Sequence, residues 1–261
     1  MRFSLPMMSE TPPALPRLTV SAKPVFLALA IAAVIFALLG FGAEYAGTMD
    51  DHDVLWAFAR LFDFGQEGNF INWYQSVTLF GCACLAGIIA FLKKRAGAPH
   101  VPLWALMALV MAFVGIDEAA QIHDRTLNAV IASLSGDEEP AAKKPGGDDK
   151  EYGSSKWMLI YVPAVVVLAA MYFRFFLALP KRTRWGFVIA AVFYVGGAVG
   201  LELIYEKVSE DTGGDTVASF AVDAASELCE MLGVAVFAGT LTAYLGREHG
   251  AMRVDFQAAE P

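Results

Sequence analysis

Residues 24–46 read PVFLALAIAAVIFALLGFGAEYA, a run whose only charge is Glu44 and which is too long and too apolar to be a helix in the core of a water-soluble domain. About 20 consecutive apolar residues are what a helix needs to cross a bilayer. Five further stretches meet the same test: Trp73–Leu92, Val101–Ile116, Trp157–Leu179, Trp185–Leu203 and Val222–Leu245. The third is the shortest before it meets charge, but its helical pattern continues to Leu134. The expectation is an all-α integral membrane bundle of six spans over residues 24–245, with tails at 1–23 and 246–261.

Composition agrees. The 261 residues are 57% hydrophobic and 18% charged, with a mean hydropathy of +0.51, where a soluble domain is nearer half apolar and a quarter charged. The net charge of -8 and the lack of a basic patch interleaved with aromatics exclude nucleic acid as a partner. Cys82, Cys84 and Cys229 lie inside apolar segments and read as small hydrophobes, not as a disulfide framework.

Loop charge sets the orientation. Arg2, Arg17 and Lys23 precede the first span, Lys93–Arg95 link the second and third, Lys181, Arg182 and Arg184 link the fourth and fifth, and Arg247 and Arg253 follow the sixth. The alternate connections are dominated by acids, among them Asp50, Asp51, Asp53, Asp137, Glu138, Glu139, Glu210, Asp211 and Asp215. All the basic connections fall on one side. The positive-inside rule makes that side cytoplasmic, with both termini there, as for a multi-pass protein of a bacterial inner membrane. Residues 135–156, rich in Gly, Pro, Lys and Asp, read as a disordered external loop.

Ionisable residues inside a span are costly and by default mark function. Counted from the basic end, Glu44, Asp117, Glu118, Glu202, Glu227 and Glu230 all fall roughly 22–30 Å along their helices at 1.5 Å per residue. Asp223, Glu227 and Glu230 are spaced i, i+4, i+7 and share a helix face, as do Asp117, Gln121 and Asp124. Glu202 and Glu206 are an i, i+4 pair. On an ideal helix His123 points about 140° from Glu118, so it joins these acids only if the helix bends near Gly115 or neighbours surround it.

Carboxylates held close together in a medium of low dielectric must take up protons, pair with bases or bind a cation. Apart from Arg125 and Lys207 near the surface, no base lies among them. Carboxylates with histidine on facing helices form the ligand sets of di-iron and di-manganese bundles, although the usual Glu-x-x-His pair is absent here. Glu118, His123, Glu202, Glu227 and Glu230 are therefore the expected ligands of a divalent metal (iron, manganese or zinc), with Asp117 as the proton-accepting catalytic residue and Asp223 on the same stripe. The resulting expectation is an externally facing site of an oxidoreductase or hydrolase that acts on a lipid or small apolar substrate. A proton- or cation-coupled transporter using the same carboxylates is the alternative, and a structural or assembly subunit without chemistry is a third. No HExxH, G-x-S-x-G, P-loop or dinucleotide fingerprint is present. The segment DFGQEGN at 63–69 echoes the start of a calcium loop, but its twelfth position is Tyr74, so it reads as a turn capping the second span.

The stretches DFGQEGNFINWYQS (63–76), GIDEAAQIHD (115–124), GGAVGLE (196–202) and ELCEMLG (227–233) together resemble a family of uncharacterised bacterial multi-pass membrane proteins. Members carry an acidic-Asn-Trp loop before a helix, an Asp-Glu…His-Glu motif and a Glu-rich motif ending Glu-Met-Leu-Gly. The resemblance implies that Glu67, Asn69, Trp73, Asp117, Glu118, His123, Glu202, Glu227 and Glu230 are the family's polar positions. Asp124 stands where Glu is expected, and Asn72 where Pro or Thr is common. The resemblance implies a site but no particular reaction.

The orientation has a direct test. A cysteine placed at Ser154 should react with an impermeant thiol reagent in intact spheroplasts; reaction only after lysis would mean that the topology is inverted.

Overall fold

The computed structural model describes residues 21–48, 57, 59–64, 68–127, 130–131, 157–214 and 216–249. The loop expected at 135–156 and nearly all of both tails lie outside the described residues, as does Glu67. Among the described residues the regular structure is entirely helical, and six helical stretches are long and apolar enough to cross a membrane. They are α1 (Ala22–Gly47), α2 (Phe70–Arg95), α3 (Val101–Ala120), α4 (Met158–Ala178), a fifth span built from α5 (Lys181–Val195), a π-helical turn (Gly196–Leu201) and α6 (Glu202–Thr212), and α7 (Val217–His249).

Most of these helices run beyond the apolar blocks because polar residues at the membrane edge continue or cap them. Helix begins at Ala22, two residues before the first apolar block. Asn69 caps α2, its side chain accepting from the backbone N–H of Asn72 at 2.8 Å while its amide donates to the carbonyl of Asp63 at 2.7 Å. Lys93, Lys94 and Arg95 occupy the last turn of α2, where positive charge complements the helix dipole. Gly213, at φ 75°, ends α6 in the left-handed conformation that a Cβ would disfavour. Asn69 is thus a cap of α2, as its sequence position indicates.

The long α7 is the central strut. It packs along α1 and the fifth span and against α2, while α2 and α3 pair closely with each other. Toward the basic end, Leu79, Cys82, Ala86 and Ile89 of α2 interlock with Trp104 and Met107 of α3 and with Val234, Ala238, Leu241 and Leu245 of α7. Ala33 and Ala37 of α1 meet Ile71 and Met231 in a second, smaller cluster. In contrast, α4 stands at the edge. Its end nearer the basic loops is held by Phe175, edge-on to Trp104 at 5.3 Å, and by the Tyr172 hydroxyl donating to the Leu103 carbonyl at 2.7 Å. Its middle exposes Val162, Val165, Val166 and Val167, as a lipid-facing helix does.

In lipid, helices gain little from burying apolar surface against one another, so close backbone approach through small residues carries much of the packing. A Cβ on Gly233 of α7 would stand 2.7 Å from the Tyr194 nitrogen and 2.9 Å from the Ala190 carbonyl of α5. Both obstacles are backbone and cannot swing aside. Gly233→Ala should therefore lower stability by about 1–3 kcal/mol through overpacking. Gly81→Ala, where nothing lies within 4 Å of the added methyl, should stay within about 0.5 kcal/mol of the parent. Thermal unfolding in mild detergent compares the two; equal melting temperatures would contradict this packing.

Candidate functional site

The site starts where α3 breaks. After Ala120, Gln121 takes left-handed angles (φ 49°, ψ 47°), and a π-helical turn covers Ile122–Leu127. A non-glycine residue in that region costs of order 1 kcal/mol or more. Asp117, buried on α3, offsets the cost. Its Oδ1 accepts from the backbone N–H of His123 at 2.9 Å, and its Oδ2 lies 3.0 Å from His123 Nδ1. His123 therefore does join the acids, but the break at Gln121 brings it there, not a bend at Gly115. Gly115 has a different role: its carbonyl accepts from the Ser76 hydroxyl at 2.7 Å, and a Cβ there would press on Leu79 and the Ser76 carbonyl at 3.3 Å.

Three aromatic groups gather at this end of α4. The His123 ring stands edge-on to Trp157 with centroids 5.2 Å apart, Tyr161 lies 6.3 Å away, and Trp157 and Tyr161 meet at 5.5 Å and 88°. The Tyr161 hydroxyl sits near Asp117 without a hydrogen bond of good geometry.

Next to Asp117, Glu118 accepts from the Asn72 amide at 3.2 Å. One turn further along α2, the Gln75 amide donates to Glu227 at 2.6 Å. These amides tie the second and third spans to the acidic stripe of α7. The fifth span approaches from the other side. Its π-helical turn sets Gly197 against α7, where a Cβ would meet the Ser226 carbonyl at 2.7 Å and Glu230 Cγ at 2.8 Å. Ser226 donates to the Gly197 carbonyl at 3.0 Å, as a side chain does where a widened helix frees a backbone acceptor. Glu202 follows at the first position of α6.

The result is a cluster. Glu118, Glu202 and Asp223 each lie close enough to act electrostatically on Glu227 and Glu230, and Tyr194 is within the same reach of Asp117, Glu118, Glu227 and Glu230. His123 acts on Glu118 in the same way. The five acids are half-buried, so each keeps part of its surface accessible. On the basic side the cluster gives way to the dry core around Leu79, Cys82, Val234 and Ala238.

The structure thus brings together Asp117, Glu118, His123, Glu202, Asp223, Glu227 and Glu230. It does not add the remaining expected positions to them. Asn69 is a buried helix cap, Trp73 is 59% exposed on the outside of α2, and Glu44 is buried on α1. The side chain of Asp124 lies outside the described residues. Among the described residues, no three or more His, Cys, Asp or Glu side chains are disposed to hold a metal ion. The expected ligand set of Glu118, His123, Glu202, Glu227 and Glu230 is therefore not gathered as a coordination shell, in part because the His123 ring is turned onto Asp117 and Gln75 is bonded to Glu227. The amides of Asn72 and Gln75 and the phenol of Tyr194 are additions that the sequence reading missed. Asn72, Gln75 and Ser76 at i, i+3, i+4 were the available signal, a polar stripe on an apolar helix.

The chain belongs to the family defined by a domain of unknown function, DUF8692, which matches residues 24–244. No curated protein and no solved structure shows significant similarity to it.

The Asp117–His123 clasp yields a prediction. Asp117→Ala removes both acceptors and should cost about 1–3 kcal/mol. Asp117→Asn keeps an oxygen for the His123 N–H and should lose less. In the alanine variant His123 should also react faster with diethyl pyrocarbonate, because its ring is no longer held. Unchanged reactivity and stability would show that Asp117 does not position the turn.

Proposed function

We propose that the chain is a proton- or cation-binding membrane protein whose carboxylate cluster exchanges with the side of the acidic loops. In this reading the positive-inside pattern places that side outside the cytoplasm, both termini inside it, and the protein in a bacterial inner membrane. The observation that supports this reading is the meeting of five carboxylates from the third, fifth and sixth spans, grouped about Glu227 and Glu230. Glu118 and Glu227 accept from the neutral amides of Asn72 and Gln75. Charges of one sign at short range in low dielectric repel by several kcal/mol, so the group needs compensating positive charge. Neutral amides orient carboxylates but do not neutralise them. Protons, or a loosely held cation, supply the charge without the fixed geometry of a coordination shell.

Glu227 and Glu230 are the central exchangers, with Glu118 and Glu202 as flanking acceptors. Tyr194 supplies a hydroxyl within the group, and Asp117–His123 forms the outer member nearest the acidic side. The apolar core below the cluster supports a site open to one side in this conformation. Transport through the membrane would need that core to part. The same acids also support a second reading, a metal-dependent oxidoreductase or hydrolase acting on a lipid or small apolar substrate, if the side chains converge around a divalent ion.

One experiment separates these readings. Protein purified in mild detergent without chelator should carry no stoichiometric iron, manganese or zinc. Infrared difference spectra recorded across a pH titration should show a protonated-carboxyl band that is diminished in both Glu227→Gln and Glu230→Gln. Near-stoichiometric metal, lost in Glu230→Ala and His123→Ala together with thermal stability, would favour the metalloenzyme. Neither metal nor a titrating carboxyl band would leave the cluster without an exchangeable charge and end the proposal.

A further inference from the structure

At the opposite end of the bundle lies a second polar feature. Lys93 is 18 positions along α2 from Gln75, about 27 Å at 1.5 Å per residue. There a cavity of ≈ 270 Å³ opens between the ends of α2, α3, α4 and α7, lined among others by Lys93, His100, Trp104, Phe175, Tyr244 and Glu248. Trp104, Phe175 and Tyr244 are buried and form its floor, while His100 and Glu248 are exposed at its mouth.

Three observations say what the cavity suits. First, the indole N–H of Trp104 is buried without an acceptor, although the residue is 0% exposed. A donor left in that state costs about 1–3 kcal/mol, which a bound acceptor would recover. Second, Lys93 stands at the cavity, and its carboxylate partner Glu248 is exposed and held only loosely. The Lys93 ammonium is 3.7 Å from the Glu248 carboxylate, beyond hydrogen-bond distance, and 5.4 Å from the centre of the Tyr244 ring. Third, α3 begins at this cavity, and His100 precedes it at φ 67° with no side-chain cap, so the positive end of the helix dipole is turned to the same space. Lys94, Arg95, Lys181, Arg182 and Arg247 stand exposed at the same end.

We infer that this cavity binds the phosphate of an anionic phospholipid. A phosphate diester offers one negative charge and several acceptor oxygens, which match one lysine, one indole donor and a helix start. Basic pockets between spans at the positively charged face of a membrane protein are suited to such headgroups. The lipid origin follows from the α4 wall. Phe175 and Ala178 line the cavity, and the neighbouring Phe173 and Leu177 are exposed along the same helix, so a headgroup seated there leaves its acyl chains against an apolar, lipid-facing surface. The inference does not depend on the chemistry of the carboxylate cluster.

The test is lipid-dependent stability of the full chain in nonionic detergent, each variant measured against its own lipid-free baseline. Phosphatidylglycerol should raise the melting temperature, and phosphatidylcholine, inorganic phosphate and glycerol phosphate should not. Lys93→Gln should lose at least about half of that shift, since stabilisation follows affinity for the folded state. Trp104→Phe, which keeps the ring and deletes the donor, should also reduce it. Lys94→Gln, on the exposed side of the same turn, should retain it. A full shift in both Lys93→Gln and Trp104→Phe would overturn the site. Equal losses in Lys93→Gln and Lys94→Gln would mean diffuse surface charge, and a full shift from inorganic phosphate alone would mean a soluble ligand; either overturns the assignment to lipid.

Discussion

A carboxylate carried to membrane depth cannot be solvated by hydrocarbon, and this constraint organises the half of the bundle away from the basic loops. Glu118, Glu227 and Glu230 cannot point into hydrocarbon, so their helices must face one another, and the remaining contacts follow. Asn72 and Gln75 sit one turn apart on α2 and bridge α3 to α7. Gly197 and Gly233 let the fifth span approach closely enough for Glu202 to join. The acids thus act as orienting groups for the bundle as well as candidate reactants.

Both interruptions of regular helix lie beside this cluster. The turn at Ile122–Leu127 swings His123 onto Asp117, and the turn at Gly196–Leu201 turns Gly197 toward Ser226 and ends at Glu202. Such widened turns are often found where function requires a side chain to be re-aimed. Neither is stabilised by helix propensity, since one follows a left-handed glutamine and the other contains three glycines. They persist because a buried side chain, Asp117 in one case and Ser226 in the other, takes up the displaced backbone group.

The six spans were legible because length and apolarity alone report them; their ends were missed where polar residues continue a helix, by as many as nine residues between Leu203 and Thr212 in the fifth span. The shared face of Asp223, Glu227 and Glu230 was also legible from 3.6-residue periodicity. The place of His123 was not. Ideal helical phase put it far from Glu118, and only the positive φ of Gln121, unusual for its residue type, reverses that. Trp73 shows the converse limit. Its nearness in sequence to Asn72 and Gln75 suggests a common site, yet the 100° step along α2 turns it outward. Nor could residue spacing reveal that the acids approach one another without forming a coordination shell, since that depends on side-chain direction and on amides contributed by another helix.

The central position of α7 has a consequence for how the protein is made. The last of these six spans to be synthesised is the one on which α1, the first of them, chiefly packs, and it also carries Glu227 and Glu230. Until it inserts, Glu118 and Glu202 wait in the membrane without their final neighbours, and Ala33 and Ala37 have no Met231 to meet. Assembly of this half therefore waits on contacts between the first and the last of these spans, whose closure is slow compared with local helix pairing. The α2–α3 hairpin, joined by a short basic turn, can form meanwhile and serve as the platform on which the C-terminal helix docks.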